Sequence, residues 1–557
     1  MQDNASAASY SAPADPLRIP IFRIVWITSL ATNFGILIQT VGASWMMVSL
    51  SGSATMVALV QTSSTLPVML LSLMAGAIAD NMDRRLVLLA ALGFMLLVSV
   101  VLAAFAALGL LTPWMLLAFT FLIGCGAALE GPAWQASVGD MVPRRSLTSA
   151  VTLNNMGYNI ARSLGPAIGG LIVAAAGVAT VFFLHALSYI GLMVALLRWR
   201  PDLPPRLLPR ETLGRAMGTG VRYVVMSPAL RVIMIRATLF SIPASALPAL
   251  MPLVAHDLVA GGPLTYGILL GAFGIGAVLG AMGNGRLRKR FSTEGIMRGA
   301  AAAMMLGSAA AAVSSFLPLT MLSLALAGAG WVQAFSIFSA SVQLGSPRWV
   351  VGRALALYQM FSFGGLALGA WASGAAGESL GVSNALLITA ALHIIGLISG
   401  FVLPLPETEA YNVELVERWA EPETAVHVEA RSGPIVIAIE YRIDPEDLIA
   451  FLNAMEERRR IRLRDGARHW TLLRDLGDDR VWLERYKVPT WLDYIRHNQR
   501  RTQADSANSD SIRELHRGPW PPVVHRSIER QTGSLPNLRS RSASPTSRPL
   551  TDPNRFG

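Results

Sequence analysis

Only nine acidic residues lie between residues 21 and 404, so each charge set in or beside an apolar run there could do chemistry. The first group is Gly76-Ala-Ile-Ala-Asp80-Asn-Met-Asp83-Arg84-Arg85, a very short link between apolar runs at about 56–79 and 86–109. Charges of both signs are costly at a bilayer surface. The second group is Glu130 in the fourth run and Arg162 in the fifth. Counting about 1.5 Å per residue from the cytoplasmic ends puts Glu130 roughly 14 Å deep and Arg162 roughly 22 Å deep. The two either reach each other through long side chains or act separately. Arg162 reads as the one basic residue deep in a span, where a guanidinium faces a cavity or a carboxylate.

The third group is uncharged: Asn33, Asn155, Asn159, Gln333 and Gln359, with Gln39 and Asn154 beside them. Each singly suits a helix–helix hydrogen bond. Together they could line a path for a substrate or ion. His185 and His393 read as packing residues with a hydrogen bond. No catalytic residue, metal or cofactor is implied. The chain has only two lysines, Lys289 and Lys487, and neither follows a glycine. A G-x-x-x-x-G-K-[ST] phosphate loop is therefore ruled out, and any active transport must draw on a gradient.

The elements that position these groups follow from composition. The 557 residues are 53% hydrophobic and 15% charged, and the mean hydropathy is +0.47. Apolar runs of about 20 residues cross about 30 Å of hydrocarbon as helices. Twelve are expected, at 22–48, 56–79, 86–109, 113–139, 147–175, 179–197, 229–256, 264–284, 295–316, 319–342, 352–375 and 382–403. The links after odd-numbered spans contain no Lys or Arg. The even links carry Arg84 and Arg85, Arg144 and Arg145, Arg198 and Arg200, Arg286 to Arg290, and Arg348 with Arg353. Positive charge stays inside, so both termini read as cytoplasmic, and the plasma (inner) membrane is the expected location. The net charge of +11 and pI near 10.3 then reflect topology and anionic lipid rather than nucleic acid. The single cysteine, Cys125, lies in an apolar run, so disulfides play no part.

The organisation predicted is a disordered leader at 1–20, a six-helix half at 21–197, a cytoplasmic linker at 198–228 and a second half at 229–404. Another linker at 405–432, a small domain at 433–530 and a disordered tail at 531–557 complete it. Within the central linker, residues 211–226 alternate apolar and basic positions like a helix lying on a membrane surface. Gly280-Ala-Met-Gly-Asn284 repeats the Gly76 loop weakly in the second half, with Asn284 in place of the carboxylate.

The spacing G-x-x-x-D-x-x-x-R-R resembles the loop between the second and third spans of the major facilitator superfamily. That resemblance implies a cytoplasmic gate built from Gly76, Asp80, Arg84 and Arg85, with the glycine admitting a helix of the other half. Asn81 stands where a basic residue is usual, and Asp83 where glycine is usual. Gly157-Tyr-Asn-Ile-Ala-Arg162-Ser-Leu-Gly165-Pro166-Ala-Ile-Gly169-Gly170 resembles the exporter-associated motif of the same superfamily, which implies efflux. Thr120 occupies the place of the family's usual fourth-span arginine, so a proton relay through that arginine does not carry over.

Beyond residue 432 the pattern changes. A strand at 434–441, a helix at 444–461, a hairpin of 466–475 with 480–487, helical stretches at 489–503 and 511–517, and a strand at 523–528 give the order β-α-β-β-α-β of a ferredoxin-like domain. Trp470, Trp482 and Trp491 suit its core, as does His469. The domain resembles the small antibiotic-biosynthesis-monooxygenase-like domains, and the whole chain resembles the enterobactin-exporter-like branch, the transmembrane secretion effectors. Ile437, Ile439 and Trp482 are expected on an open sheet face, which would make the domain a homodimer interface.

The fold expected is thus an all-α membrane protein of twelve transmembrane helices in two six-helix halves, with a small α+β ferredoxin-like cytoplasmic domain. The function expected is gradient-driven export of a small organic molecule, siderophore or drug-like. A proton-coupled multidrug antiporter, with Glu130 carrying the proton, is one alternative. A membrane-anchored sensor or enzyme acting through the tail is the other.

Overall fold

A computed structural model describes residues 16–143, 146–200, 213–347, 349–406, 422–499, 502–519 and 521–529. The leader, most of both linkers and the C-terminal tail lie largely outside that set. So do the side chains of Asp80 and Asn81. The described chain falls into two units, the first comprising 1–205, 232–340 and 355–405, the second 206–231, 341–354 and 406–557.

In the first unit α1 (Pro20–Ser51), α2 (Ala54–Asn81), α3 (Arg84–Ala107) and α4 (Pro113–Met141) follow one another closely. Each break has a local cause. Gly52, at φ 59°, closes α1, and the Ser53, Asp83 and Thr112 side chains cap α2, α3 and α4. The Asp83 cap, accepting from the Arg85 N–H at 2.9 Å, gives a physical reason for an acid at that position of the loop.

Helix α5 runs Leu147–Arg198. Its 52 residues would extend about 78 Å, far beyond one hydrocarbon thickness. The chain leaves helical geometry at Gly177 (φ 79°, ψ 169°), inside the link expected at 176–178, and the two limbs match the expected fifth and sixth spans. The later spans begin with α7 (Pro228–Ala244), which continues through α8 (Ala246–Leu253) and a π turn to Leu258. They continue with α9 (Pro263–Arg290), α10 (Thr293–Val313), α11 (Leu317–Leu344), α12 (Val351–Leu380) and α13 (Val382–Val402). Eleven described helices are long and apolar enough to cross a membrane, the broken α5 counting once. Large apolar side chains such as Leu97, Leu197, Leu322 and Phe401 remain exposed along them, as expected where lipid is the solvent.

The second unit holds a four-stranded antiparallel sheet in the order β2 (Arg468–Arg474), β3 (Val481–Val488), β1 (Ile435–Arg442), β4 (Val524–Ile528). α14 (Leu448–Arg464) follows β1, while α15 (Trp491–Gln499) and α16 (Gln503–Leu515) follow β3. Strand alternation puts Ile435, Ile437, Ile439 and Tyr441 on the buried face, packed with Phe451, Tyr486, Trp491, Tyr494 and Ile512. Register pairs Tyr441 with Trp482, and the Trp482 ring packs on Phe451. Ile437, Ile439 and Trp482 therefore line the core and not an open face, because the helices cover the side to which they point. The expected homodimer loses its premise. Its opposite face mixes Val436, Ala438 and Leu483 with Glu440, Arg485 and Lys487. His469 is also corrected: it is exposed, at φ 52°, in a bulge between Arg468 and Thr471. Trp470 and Trp491 take the core positions expected.

Inside this core Glu484 is fully buried. It accepts from Arg462 Nε (3.1 Å), Trp470 Nε1 (3.1 Å) and the Tyr441 hydroxyl (2.9 Å), with Arg458 Nε at 3.8 Å. Burial pushes its carboxyl up, but the two guanidiniums and the two hydrogen bonds outweigh this and hold it at about 2. The same unit contains α6 (Leu213–Met226), and its amphipathic face is not left for a membrane surface. Tyr223 and Val224 are buried; the Tyr223 ring lies under Arg464 and edge-on to Trp349, and Arg460 Nη1 donates to the Met226 carbonyl. Protein, not lipid, covers this face.

Candidate functional site

The start of α3 is tied to two helix ends. Arg84 Nη1 donates to Asp140 Oδ2 at 2.7 Å and to the Ala136 carbonyl at 3.3 Å, in the last turns of α4. Arg85 donates to the Leu196 and Leu197 carbonyls at 2.8 and 2.7 Å, in the last turn of α5. Helix C-termini carry orphan carbonyls and attract cations, so the arginine pair closes both ends at once. Asp140, the partner of Arg84, was not singled out in the sequence, although an acid at the end of an apolar run was the signal. Further up α2, Ser72 Oγ donates to the Ala356 carbonyl at 3.0 Å, and a Cβ on Gly76 would lie 3.8 Å from the Ala356 Cβ. This part of the loop thus abuts α12, from the other half, at ordinary contact distance. The Asp80 side chain is outside the described residues.

The glycines of α5 divide between two neighbours. A Cβ on Gly157 would lie 3.5 Å from Leu30, one on Gly165 3.0 Å from Leu37, and one on Gly169 3.1 Å from the Ile38 Cα, all on α1. Gly170 faces α9 instead, where its Cβ would sit 2.6 Å from the Pro263 oxygen and 3.0 Å from the Gly267 Cα. Three α9 glycines complete the seam. Added Cβ atoms would come within 2.6 Å of the Pro166 oxygen at Gly267, 3.4 Å of the Ser163 oxygen at Gly271 and 2.7 Å of the Arg162 oxygen at Gly274. Along this seam α5 and α9 approach backbone to backbone. Sequence reasoning missed Gly267, Gly271 and Gly274, although their three- and four-residue spacing on an apolar helix was the available signal.

The polar residues separate into two groups. Gln333 is buried and donates to the Gly280 carbonyl at 2.5 Å, joining α11 to α9. Asn154 accepts from Trp134 Nε1 at 3.3 Å. Thr120 turns its hydroxyl back to the Leu116 carbonyl. By contrast, Asn33, Glu130, Asn159, Arg162 and Gln359 are half-buried and Asn155 is exposed. Among the described residues none of these six has a side-chain hydrogen bond or ion pair, and Glu130 and Arg162 do not meet. His185 lies 3.4 Å from Ser99 Oγ, whereas His393 packs on Phe240 with both ring nitrogens unpaired.

Arg162 is not the only cation deep in the bundle. Arg236, in α7, is 2% exposed and donates to Glu294 Oε2 at 2.6 Å and to the Leu403 carbonyl at 3.3 Å. Glu294, in the first turn of α10, also accepts the Leu405 N–H at 3.3 Å. Gly400 leaves room for that carboxylate, which would otherwise stand 1.9 Å from a Cβ. The pair ties α7, α10 and the end of α13 together. Arg236 falls within the expected 229–256 span, so the sequence showed the cation but not its depth or its partner.

The chain matches the family described as transmembrane secretion effector over residues 11–532. Its relatives include the staphyloferrin A transporter of Staphylococcus aureus, 26% identical over 44% of this chain and 62% of that one. The match thus spans less than two thirds of that relative. The multidrug efflux pump Tap of Mycolicibacterium fortuitum is 24% identical over 70% of this chain and 98% of its own. The enterobactin exporter EntS of Escherichia coli is 28% identical over 59% and 79%. Among solved structures, an inward-facing bacterial homologue of the human lysosomal transporter Spinster superposes with a TM-score of 0.57 at 13% identity, covering 71% of this chain and 98% of that one. The nucleoside transporter NupG gives 0.56 at 14% identity, covering 69% and 99%. At these identities the two structures establish the fold.

Proposed function

This chain belongs to the transmembrane secretion effectors, and from that premise we propose that it exports a small organic molecule, siderophore or drug-like, by alternating access. It is a multi-pass membrane transporter and not an enzyme. The observation that carries the reading is the seam between the halves. There α5 and α9 meet through glycine backbone, while half-buried polar groups on α1, α4, α5 and α12 have no side-chain hydrogen bond or ion pair among the described residues. A seam of closely apposed glycines can slide, and polar groups without a partner among the described residues, set inside an apolar bundle, suit a wet path. The relatives transport a siderophore, pump drugs or export enterobactin, which supports small-molecule export as the direction.

In this reading the limbs of α5 on either side of Gly177 are separate crossings, giving twelve spans in two six-helix halves. The end bearing Arg84, Arg85 and Arg286 to Arg290 faces the cytoplasm, as do both termini. Gly76, Asp80, Arg84 and Arg85 form the cytoplasmic gate, and Gly157, Arg162, Gly165, Pro166, Gly169 and Gly170 the sliding element. The path for substrate or ion runs past Asn33, Glu130, Asn155, Asn159 and Gln359, with Gln333 as a helix–helix tie beside it. The tail domain, with strand order β2-β3-β1-β4, fits the ferredoxin-like arrangement.

The test is uptake into inside-out vesicles under an imposed proton gradient, with siderophores and the dye ethidium as probes. Uptake that collapses with the gradient supports the reading. Full uptake without a gradient, or none with any probe, removes it. A second reading, proton antiport, is favoured by Glu130, a half-buried carboxylate with no hydrogen bond or ion pair among the described residues. Substrate-driven proton movement that is lost in Glu130→Gln would support it, and its absence in the parent would exclude it.

A further inference from the structure

Helix α2 begins at Ala54, and its first N–H groups have no partners within the helix. Ser53 supplies the ordinary cap, its Oγ accepting the Met56 N–H at 3.3 Å. The Thr55 N–H is satisfied differently. It donates at 3.0 Å to Glu378 Oε2, a carboxylate from the last turn of α12 in the other half of the molecule. The same oxygen accepts the Ser53 hydroxyl at 2.5 Å. The cap of one half is thus completed by an acid of the other. Among the described residues, Glu378 is the one carboxylate that accepts a backbone N–H from the opposite half.

The approach that permits this is built into α12. A Cβ on Gly374 would lie 2.5 Å from the Ala58 Cβ and 3.1 Å from the Ala54 oxygen, and one on Gly377 would lie 3.3 Å from the Ala54 Cβ. Larger side chains there would push α12 from α2 and carry Glu378 out of reach of Thr55. Deeper in the same helix pair, Thr62 Oγ1 donates to the Ala367 carbonyl at 3.1 Å.

We propose that Glu378, with Ser53 and Thr55, is the latch that holds the outer end of the transporter closed and must release for that end to open. The proposal rests on the alternating-access reading and on the assignment of the arginine-poor end as the outer one. α2 and α12 run antiparallel, so the end of each lies beside the start of the other. The Gly76–Asp80 stretch ends α2 at the cytoplasmic side, and Glu378 ends α12 at the outer side. The same helix pair would then carry one releasable carboxylate at each face. Opening the outer end costs two charge-assisted hydrogen bonds, which water must replace, so the latch biases the equilibrium without fixing it.

The test is a distance measurement on the full chain in liposomes. In a Cys125→Ser background, spin labels are placed by Leu110→Cys and Phe316→Cys, exposed positions in outer links of the first and second halves. Pulsed electron resonance then gives the populations of short and long separations. Glu378→Ala should raise the long-separation population at least about threefold over the parent. Glu378→Gln, which keeps the side-chain length but removes the charge that strengthens both bonds and leaves the Ser53 cap intact, should raise it by less. Distributions that superimpose on the parent for both variants would overturn the latch. Should Glu378→Ala fail to fold, Glu378→Gln decides alone: a shift supports the proposal and no shift ends it. The readout needs no substrate, so failure of the export reading in vesicles remains distinguishable from failure of the latch.

Discussion

Glu484→Gln is the sharpest test of how the tail domain is held together. Glutamine keeps the shape of the side chain but removes the charge that faces Arg462 at 3.1 Å and Arg458 at 3.8 Å, both guanidiniums being buried. Breaking a buried pair by neutralising one partner costs about 3–5 kcal/mol, because the other charge stays desolvated. A domain of this size has only about 5–15 kcal/mol in total. Its urea midpoint should fall by roughly 1 M or more. The acid limb gives a second reading. The folded carboxyl titrates at about 2 against an ordinary 4.5, so its contribution is present above 4.5 and is lost as pH falls from about 4.5 to 2. That difference is worth roughly 3 kcal/mol. The assay is limited proteolysis of the full chain in detergent, following release of the tail against urea at several pH values. The parent should lose stability steeply below pH 4.5, and Glu484→Gln should start lower and fall less. An unchanged midpoint, or an acid limb identical to the parent's, would refute the network as the source of stability.

Three further expectations concern the membrane part. Gly267→Val places side-chain carbons against the Pro166 oxygen and the Gly170 Cα, so it should cost about 1–3 kcal/mol in thermal unfolding and slow transport in vesicles. Arg236→Met leaves Glu294 without its 2.6 Å partner and should destabilise the protein by about 3 kcal/mol. Combined with Glu294→Gln it should cost less than the sum of the two changes, as a thermal-unfolding cycle would show. Asp80→Asn should cut vesicle transport while leaving membrane insertion unchanged, and a variant transporting at the parental rate would remove the gate assignment.

Hydropathy alone determined the spans, because a bilayer demands about twenty apolar residues from each helix whatever its neighbours are. Even the break at Gly177 fell inside the link read from the sequence at 176–178. Strand and helix order in the tail was legible for a similar local reason, since period-two and helical patterns need only the chain itself. What local pattern could not decide was direction. Ile437 and Ile439 alternate correctly along β1, yet which side the helices cover is fixed by packing, and that reversed the expected dimer face. Long-range partners were equally out of reach. Arg84 with Asp140, Arg236 with Glu294, and Glu378 with Thr55 lie 56, 58 and 323 residues apart. A charge in an apolar run announces that a partner or water is needed. Only the tertiary fold brings one of several distant groups within hydrogen-bonding distance, and here it gave partners to Arg84, Arg236 and Glu378 and, among the described residues, none to Glu130 or Arg162.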